Sequence, residues 1–534
     1  MASMAIKGVA CDKKSTWPMQ ATMAALLQQL MQATLPQALL LLFFPLALVL
    51  LHYLVITGRS GRSSHGCRLP PSPPRLPVIG HLHLVGFLPH VNLRRLAMRY
   101  GPDYMLIHLG SVPTLVVSSP RAAQAVMRTH DHVFASRPTS RLANTLMTAS
   151  LDVAFAVYGD HWRQAKRLLS THLLTVKKVS SYRPGREEEA RLVVAKIAKA
   201  TVSCEAMDMR DLIYSFITDV VCRAVSSNLF KVDGRNRLLR ELIDASGALI
   251  GGVNLEDFYP GLVRVGFIKR AVCARADKLK KRWDELLDKV VDEHQENTVQ
   301  QREPDFIDSL LSCQHEYALT KDHIKAMLID IFFGATDSTS MLIESVMAEL
   351  ISNPQVMSKL QAELRSKIPK GKEIVTEDDL ATMTYLKAVI KETFRLHPPA
   401  PLLGPHLSMD NVHIDGYIVP AHIPVLVNAW AIGRDPSTWE DPEKFMPERF
   451  LKVDIDYKGN NFELLPFGTG RRMCPGINFS MSTYELMLGN LLYHFDWELP
   501  APRVAGGMGV DMTEVFRLTV HRKEKLLLIP RTRT

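Results

Sequence analysis

The stretch "PFGTGRRMCPG", residues 466–476, places one cysteine among glycines, arginines and prolines near the C-terminus. A single cysteine is most often a small buried hydrophobic residue without chemistry. Cys474 differs because apolar residues recur at helical spacing directly after it, from Ile477 to Leu492. The pattern predicts a helix that begins just past the cysteine. Free backbone N–H groups and the helix dipole favour an anion there, so the sulfur is suited to bind metal as a thiolate.

The glycines of this stretch allow the backbone to fold closely around a flat group. The spacing Phe-x-x-Gly-x-Arg-x-Cys-x-Gly, from Phe467 to Gly476, matches the haem-binding signature of the cytochrome P450 family at every specified position. The chain therefore resembles that family, in which a cysteine thiolate is the axial ligand of the haem iron. The resemblance implies haem b (iron protoporphyrin IX) as cofactor, with Cys474 as iron ligand and with Phe467 and Arg472 at the haem.

Composition supports a large folded protein. The chain has 534 residues, of which 47% are hydrophobic, enough to bury a sizeable core. Its net charge of +9 is spread without a polybasic run beside aromatic residues, which argues against a nucleic-acid partner. Its seven cysteines form no CxxC pair, so neither a disulfide framework nor a zinc site is indicated. A reducing compartment fits this cysteine usage best.

An uncharged stretch near the N-terminus predicts a membrane anchor. No charged residue occurs from Ser15 to Gly58, and residues 38–56 are apolar apart from His52. A helix of that length spans a bilayer core of about 30 Å. We expect an N-terminal leader at 1–37 and a transmembrane anchor at 38–56. A buried core helix, a cleaved signal peptide and a plastid transit peptide stay open as alternatives, and flanking charges do not fix the orientation.

The segment "LPPSPPRLPVIG", residues 69–80, predicts an extended, semi-rigid connection. It resembles the proline hinge of microsomal members of the family. We expect a basic and proline-rich hinge at 57–80 and a haem-thiolate catalytic domain at 81–534. The resemblance implies a single-pass protein of the endoplasmic reticulum membrane, with its catalytic domain facing the cytosol.

Helical periodicity dominates the remaining chain. The segment "KLKKRWDELLDKVVDEH", residues 278–294, places its apolar residues on one face and its charges on the other. The polar residues 294–304 predict a surface loop. Strand-like patterns are few and short, and they are "YMLIHLG", "TLVVSS" and "IPVLVNAW". The fold class is mainly α with small β-sheets, as in the cytochrome P450 fold, preceded by the transmembrane helix.

The longest helical pattern runs from Thr320, a helix-capping residue, to Pro354, which ends it. Small and hydroxyl residues at 334–339 lower helix propensity in its centre and predict a local distortion. Close packing alone explains these residues equally well.

The same central residues resemble the oxygen-binding motif of the family, with Ser338 where threonine is usual. The resemblance implies that Asp337 and Ser338 manage proton delivery during catalysis. Thr339, one residue further on, is the rival hydroxyl.

Glu392 and Arg395, in "KETFRLHPP", are spaced to form an ion pair on one helix face. The residues alone indicate a surface pair that contributes about 0.5 kcal/mol. The resemblance implies instead a structural triad with Arg449 near the haem pocket.

The segment "WRQAK", residues 162–166, resembles a Trp-Arg-x-x-Arg helix of the family, with Lys166 in place of the second arginine. The resemblance implies that Trp162 and Arg163 lie near the haem propionates. His406 falls where many relatives carry a propionate-binding arginine. We also expect a basic docking face for an acidic reductase, formed by Arg163, Lys166, Arg167 and Arg471.

No flavin or nicotinamide motif is visible, since "GGMGV", residues 506–510, is not a dinucleotide-binding fingerprint. The resemblance implies a monooxygenase that takes electrons from NADPH-cytochrome P450 reductase. It would insert one atom of O₂ into a small hydrophobic plant metabolite. A haem-thiolate isomerase or dehydratase and a non-catalytic haem-binding protein are the alternatives.

Three further stretches resemble grass members of the family that oxidise indole-derived rings in benzoxazinoid synthesis. They are "VMRTHDHVFASRP" (126–138), "LTKDHIKAMLID" (319–330) and "TEVFRLTVHRKEKLLLIP" (513–530). A resemblance within so large a family predicts the chemistry better than the substrate. Arg517 lies next to an expected pocket turn where relatives often carry glycine, which further weakens the substrate prediction. The expected pocket stretches are mostly apolar and comprise residues 141–155, 250–258, 328–338, 400–404 and 515–519.

Overall fold

The computed structural model describes residues 68–148, 150–226, 235–252, 254–264, 266–296, 304–500 and 510–533. These belong to a compact unit that begins at Cys67. The expected leader, the expected anchor at 38–56 and the first part of the expected hinge lie outside the described residues.

Helices dominate the described residues, which confirms the mainly α prediction. The first group is α1 (Leu82–Val85), α2 (Pro89–Tyr100), α3 (Pro120–Gln124), α4 (Arg141–Leu146), α5 (Asp160–Leu168), α6 (Val176–Ser181), α7 (Arg183–Ser203), α8 (Met209–Val225), α9 (Arg235–Ile250), α10 (Leu255–Phe258) and α11 (Gly266–Glu296). The second is α12 (Phe306–Ser312), α13 (Lys321–Ser352), α14 (Pro354–Lys367), α15 (Glu377–Leu380), α16 (Thr384–Leu396), α17 (Ala429–Ile432), α18 (Arg449–Lys452) and α19 (Ile477–His494). Short π-helical turns (Ala125–Thr129 and Leu169–Leu173) and 3₁₀ turns (Leu262–Arg264 and Gly470–Arg472) complete the helical part.

The strands are short. They are β1 (Tyr104–Leu109), β2 (Val112–Val117), β3 (Met207–Asp208), β4 (His406–Leu407), β5 (Val412–Ile414), β6 (Tyr417–Val419), β7 (Pro424–Val427), β8 (Phe495–Glu498), β9 (Glu514–Phe516), β10 (Val520–Arg522) and β11 (Leu527–Thr532).

The largest sheet has the strand order β1-β2-β7-β4. Strand β2 pairs antiparallel with β1, where Tyr104 lies opposite Val117, and parallel with β7, where Leu115 lies opposite Val425. The three strand patterns predicted from the sequence all fall in this sheet. The smaller sheets are β3-β11-β8 and the antiparallel pairs β5-β6 and β9-β10.

Helix α13 runs through the centre of the core. The Thr320 hydroxyl accepts from the N–H of His323, whose ring nitrogen accepts from the N–H of Thr320, so the predicted cap is confirmed as a capping box. The helix is long and apolar enough to cross a membrane, but it is mostly buried inside the fold. It therefore serves here as a core helix.

The predicted distortion in the middle of α13 is not a break. The helix is continuous from Lys321 to Ser352. The Ser338 hydroxyl nevertheless donates to the carbonyl oxygen of Gly334 at 2.7 Å. This bond shares an oxygen that already accepts from the backbone, which weakens the helix locally without ending it.

Helix α11 confirms the predicted amphipathic pattern. Its apolar face is buried, and the Trp283 indole N–H donates to the Ser246 hydroxyl at 3.0 Å. The helix continues to Glu296, so the first residues of the expected polar loop at 294–304 are helical. Residues 297–303 lie outside the described part of the chain.

The proline-rich residues 68–80 lie against the body. The carbonyl oxygen of Pro71 accepts from the N–H of Leu106 at 2.8 Å, and Gly80 forms a β-bridge with Leu109. His81 bonds the carbonyl oxygen of Pro73 at 2.9 Å. The described part of the expected hinge is thus attached to the large sheet by backbone hydrogen bonds.

The ion pair between Glu392 and Arg395 is completely buried, so the surface pair indicated by the residues alone is wrong. Both side chains have no exposure, and the guanidinium meets the carboxylate through N···O distances of 2.8 Å. Arg449 joins the same carboxylate at 3.2 Å. The pair lies on the face of α16 that packs into the core, where the carboxylate and guanidinium are removed from water.

We expect Arg395→Met to lower the free energy of unfolding by about 3–5 kcal/mol, because it leaves the Glu392 carboxylate buried without its main partner. Glu392→Gln should also destabilise the fold. The measurement is urea unfolding of the body.

Arg237→Met is the matched control, since Arg237 forms an exposed helical pair with Glu241 at 3.6 Å. An Arg395→Met protein as stable as this control would contradict a structural role for the triad.

Candidate functional site

The cysteine loop, residues 466–476, folds back just before α19. The N–H of Cys474 donates to the carbonyl oxygen of Phe467 at 3.0 Å. Gly470 adopts a φ of +71°, and a Cβ there would lie 2.5 Å from the carbonyl oxygen of Met127. This glycine is required both by its left-handed backbone and by the close approach. Helix α19 starts at Ile477, as the sequence predicts.

The side chain of Cys474 is accessible, although many protein atoms surround the thiol. Burial raises the pKa of the thiol, while the N–H of Gly476, 3.4 Å from the sulfur, and the Lys166 ammonium act to lower it. The protein alone therefore favours the thiol. A coordinating metal ion deprotonates such a group outright.

The centre of α13 packs against α19, the helix that follows the cysteine loop. Gly334 is accessible, and a Cβ on it would meet no atom within 4 Å. Ser338, one turn further on, lies on the same helix face as Gly334. Thr339 is buried and its hydroxyl is 3.1 Å from the Ser480 hydroxyl of α19. The structure thus separates the two candidate hydroxyls, with Ser338 beside the open face and Thr339 against α19.

Asp337 contacts the β9-β10 hairpin. Its carboxylate accepts from the Thr519 hydroxyl and lies 3.1 Å from His521 Nε2. Burial acts to raise the pKa of Asp337, but the contacts with His521 and Thr519 and the charge of Arg517 outweigh it and hold the pKa below its ordinary value. Thr519 and His521 were not predicted from the sequence as partners of Asp337, and the one signal for Thr519 was the expected pocket stretch at 515–519.

Asp330 attaches one wall of this region to α13. Its carboxylate accepts from the N–H groups of Val153 and Ala154 at 2.6 and 3.3 Å. Burial raises the pKa of Asp330 well above its ordinary value. The loop that carries Ala154 belongs to an expected pocket stretch, so its position depends on a side chain of the central helix.

Arg472 connects the cysteine loop to this wall. Its guanidinium stacks over the Trp162 ring at 4.2 Å and donates to carbonyl oxygens at 2.5–3.2 Å. Those oxygens belong to Ala135, Val153 and Ala156. The Lys166 ammonium bonds the carbonyl oxygen of Met473. Trp162, Lys166 and Arg472 are thereby brought together beside Cys474.

Arg137 joins this group, and it was not predicted from the sequence as a site residue. Its guanidinium donates to the carbonyl oxygens of Gly404 and Pro405 at 2.6 and 2.8 Å. The sequence signal that could have identified Arg137 was its place in the segment "FASRP", residues 134–138. Burial lowers the pKa of Arg137 to about 10, that of Arg472 to about 9 and that of Lys166 to about 8.

The carboxyl that faces these cations within the described residues is Asp152. Burial raises the pKa of Asp152 to about 6, against the charges of Arg472 and Arg137. The three cations thus exceed the available negative charge and are suited to an anionic group. A planar iron porphyrin with propionate carboxylates fits the accessible thiol, the open face at Gly334 and this positive cluster.

Arg163 and His406 differ from the expected arrangement. Arg163 is exposed, pairs with Asp160 and lies over the Tyr158 ring at 5.4 Å, because it follows the inward-facing Trp162 on the helix. The structure does not bring Arg163 into the cluster. The Nδ1–H of His406 donates to the carbonyl oxygen of Phe134 at 2.8 Å.

Burial and the charges of Arg137 and Arg472 lower the pKa of His406 to about 3. In its neutral state Nε2 is an acceptor. His406 would therefore need a second proton to donate to a propionate.

The expected docking face is smaller than the sequence indicates. Lys166 points inward to the cysteine loop, so it does not belong to an outer basic surface. Arg163 and Arg167 are exposed. Arg471 is also exposed and pairs with Asp131 at 2.6 Å.

Known proteins similar to this chain share its length and fold. The family model of cytochrome P450 matches residues 70–505. Indole-2-monooxygenase of Zea mays is 49% identical over 530 residues, which cover 95% of this chain and 98% of the maize protein. Indolin-2-one monooxygenase of Zea mays is 48% identical, with 90% and 93% covered.

A third maize protein, 3-hydroxyindolin-2-one monooxygenase, is 47% identical, with 87% of this chain and 89% of that protein covered. Among solved structures, a zebra fish cytochrome P450 with abiraterone superposes with a TM-score of 0.70 at 25% identity. It covers 84% of this chain and 100% of that chain. The fold, the thiol-centred site and these matches confirm the resemblance: the chain belongs to the cytochrome P450 family and is a haem-dependent monooxygenase.

Proposed function

We propose that this enzyme inserts one oxygen atom from O₂ into an indole-type ring of a small plant metabolite. The observation that carries the proposal is the 49% identity to a maize indole-2-monooxygenase across 95% of the chain. Two further maize relatives are named for indolin-2-one and its 3-hydroxy derivative. The candidate substrates are therefore small bicyclic rings that carry zero, one or two oxygen atoms.

Five residues near the site have a proposed part in holding the cofactor. Cys474 is the proposed iron ligand. Arg472, Arg137 and Lys166 would neutralise the propionates, with Trp162 supporting the Arg472 guanidinium by stacking at 4.2 Å. The haem, when bound, supplies oxygen activation, to which the cysteine thiolate contributes electron density.

The stoichiometry of the reaction defines how many electrons and protons the protein must deliver to the site. Substrate and O₂, with two electrons and two protons, give hydroxylated substrate and water. The proposed electron source is NADPH through NADPH-cytochrome P450 reductase. The protons must reach a buried helix centre, where the Ser338 hydroxyl, whose own hydrogen is used on Gly334, is able to accept from a water molecule. The ionised Asp337 beside it is the proposed proton carrier.

The proposed location is the endoplasmic reticulum membrane, with a single span at 38–56 and the catalytic body in the cytosol. The uncharged stretch from Ser15 to Gly58 supports this. A reductase in the same membrane would then meet the body on the cysteine side, where Arg163, Arg167 and Arg471 are exposed.

The substrate class is tested by haem spin-state titration of the purified full chain with indole, indolin-2-one and 3-hydroxyindolin-2-one. We expect at least one of them to shift the haem spectrum and to gain one oxygen atom from ¹⁸O₂ when NADPH and reductase are present. Cys474→Ala is the control and should lose the thiolate spectrum of the reduced carbon-monoxide complex. Turnover without ¹⁸O in the product would favour the isomerase or dehydratase alternative.

The hydroxyl of the central helix is tested by comparing Ser338→Ala with Thr339→Ala. We expect Ser338→Ala to keep haem and substrate binding, to form less product per NADPH and to release more peroxide, because the water-holding hydroxyl is removed. Thr339→Ala should stay coupled, since its hydroxyl contacts Ser480 on α19. The reverse result would place the functional hydroxyl at 339.

The membrane proposal is tested by removing residues 1–66, which precede the compact body. We expect a truncated protein that still binds haem and leaves the membrane fraction in part, with residual association through apolar surface groups. Fractionation and the reduced carbon-monoxide spectrum measure both properties. If the truncated protein stayed in the membrane fraction as fully as the full chain does, in added salt and without detergent, an anchor in this region would be contradicted.

A further inference from the structure

The hairpin β9-β10 places an imidazole directly on the carboxylate of the central helix. His521 Nε2 is 3.1 Å from Asp337 Oδ1 and 2.8 Å from the Thr519 hydroxyl. That hydroxyl donates its only hydrogen to Asp337 Oδ2. Its oxygen must therefore accept from His521, so Nε2 carries a hydrogen that is shared between Thr519 and Asp337.

The hairpin is held firmly, so this geometry does not depend on a free loop. The N–H of Val520 donates to the carbonyl oxygen of Pro399 at 3.1 Å, and the buried Arg522 donates to the carbonyl oxygen of Asp511 at 2.7 Å. The turn also packs on Gly251, where a Cβ would lie 2.0 Å from the N of Leu518.

On the side away from α13, His521 lies beside a small cavity through which water could supply protons. Its side chain keeps 19% exposure. A narrow cavity beside it, with room for about one water molecule, is also lined by the polar side chains of His397 and Glu514. His397 continues the polar chain to Glu349 at 2.7 Å. Imidazole groups titrate in the neutral range and suit proton transfer on such a route.

We propose that His521 passes protons to Asp337, as a positioning and proton-supplying residue that acts through that carboxylate. The inference rests on the proposed role of Asp337 and Ser338. The donor is the imidazolium form of His521, with a hydrogen on each ring nitrogen; its Nε2 proton moves to Asp337 Oδ1 and leaves a neutral imidazole whose hydrogen is on Nδ1. Asp337 then gives the proton to water held at Ser338, and His521 regains one from water in the adjoining cavity. The cycle returns both side chains to their starting charge.

Several charged groups surround His521 and enter its pH dependence. Asp337 faces it from α13, Asp244 from α9 and Arg517 from the turn. Tyr214 of α8 bonds Asp244 at 3.2 Å. The groups on the cavity side are His397, Glu514 and Arg522.

The test compares the full chain with its His521→Gln, Asp337→Asn and Ser338→Ala variants, reconstituted with reductase. Glutamine keeps an N–H donor near the Nε2 position, but its side chain does not gain or lose a proton. We expect His521→Gln to lower kcat about tenfold, with KM and the substrate-induced spectral shift unchanged. Product per NADPH should fall with rising pH in the parent protein, because the proposed route supplies protons, and should be flat with pH in His521→Gln. His413→Gln, at an exposed histidine of β5, is the matched control.

A second readout needs no turnover. In protein labelled with ¹³C-histidine, the His521 resonance is identified by its loss in His521→Gln. Its titration midpoint should move to lower pH in Asp337→Asn, because the neighbouring negative charge is removed. An unmoved midpoint would show that the two groups are not coupled and would overturn the inference.

The outcomes separate the two proposals. If Asp337→Asn and Ser338→Ala uncouple the reaction while His521→Gln matches the parent protein, the route through His521 is overturned and the proposed function stands. If Asp337→Asn stays coupled, the proposed role of Asp337 fails and this inference fails with it. A His521→Gln protein that loses substrate binding but keeps the parent pH profile would show a merely structural histidine.

Discussion

The buried ion pair between Glu392 and Arg395 joins the helical core to the chain that leads into the cysteine loop. Charges removed from water are tolerated only when their remaining donors and acceptors are also satisfied. The Arg395 guanidinium accordingly donates to the carbonyl oxygens of Gly433, Pro442 and Lys444, while the N–H of Met446 donates to Glu392. These bonds fix the course of residues 433–446. The thiol-bearing loop follows soon after, so the position of the sulfur depends on electrostatic bonds made some distance from it.

The sequence predicts well whatever is decided by neighbouring residues. The cap at Thr320, the apolar face of α11 and three of the four strands of the large sheet depend on local spacing and side-chain chemistry, and the structure contains all of them. The helix after Cys474 is likewise local. The central residues of α13 mark a limit of such reasoning, because the helix is continuous where propensity alone favours a distortion.

Groups that meet only through the fold could not be predicted in the same way. Thr519 and His521 lie more than 180 residues from Asp337, and nothing in their spacing connects them. The burial of the Glu392–Arg395 ion pair could not be predicted from the sequence pattern either, because the two residues have the same spacing on a surface helix as on a buried helix. The cluster of Arg137, Lys166 and Arg472 shows both limits, because neither the burial of its side chains nor its long-range contacts could be read from the sequence. Lys166 turns inward, and Arg137 reaches the site through carbonyl oxygens more than 260 residues away.

Gly251 links a helix end to the hairpin that carries His521, and its contact constrains how this enzyme can diverge. Any side chain at that position would meet the backbone of Leu518 and displace the turn. The displacement would move the imidazole relative to Asp337 while leaving the cysteine loop and the positive cluster untouched. An enzyme that acquires alanine at this position during evolution is thus expected to keep its haem but to form less product for each NADPH that it consumes. Coupling efficiency can therefore be lost at a residue that touches neither the cofactor nor the substrate.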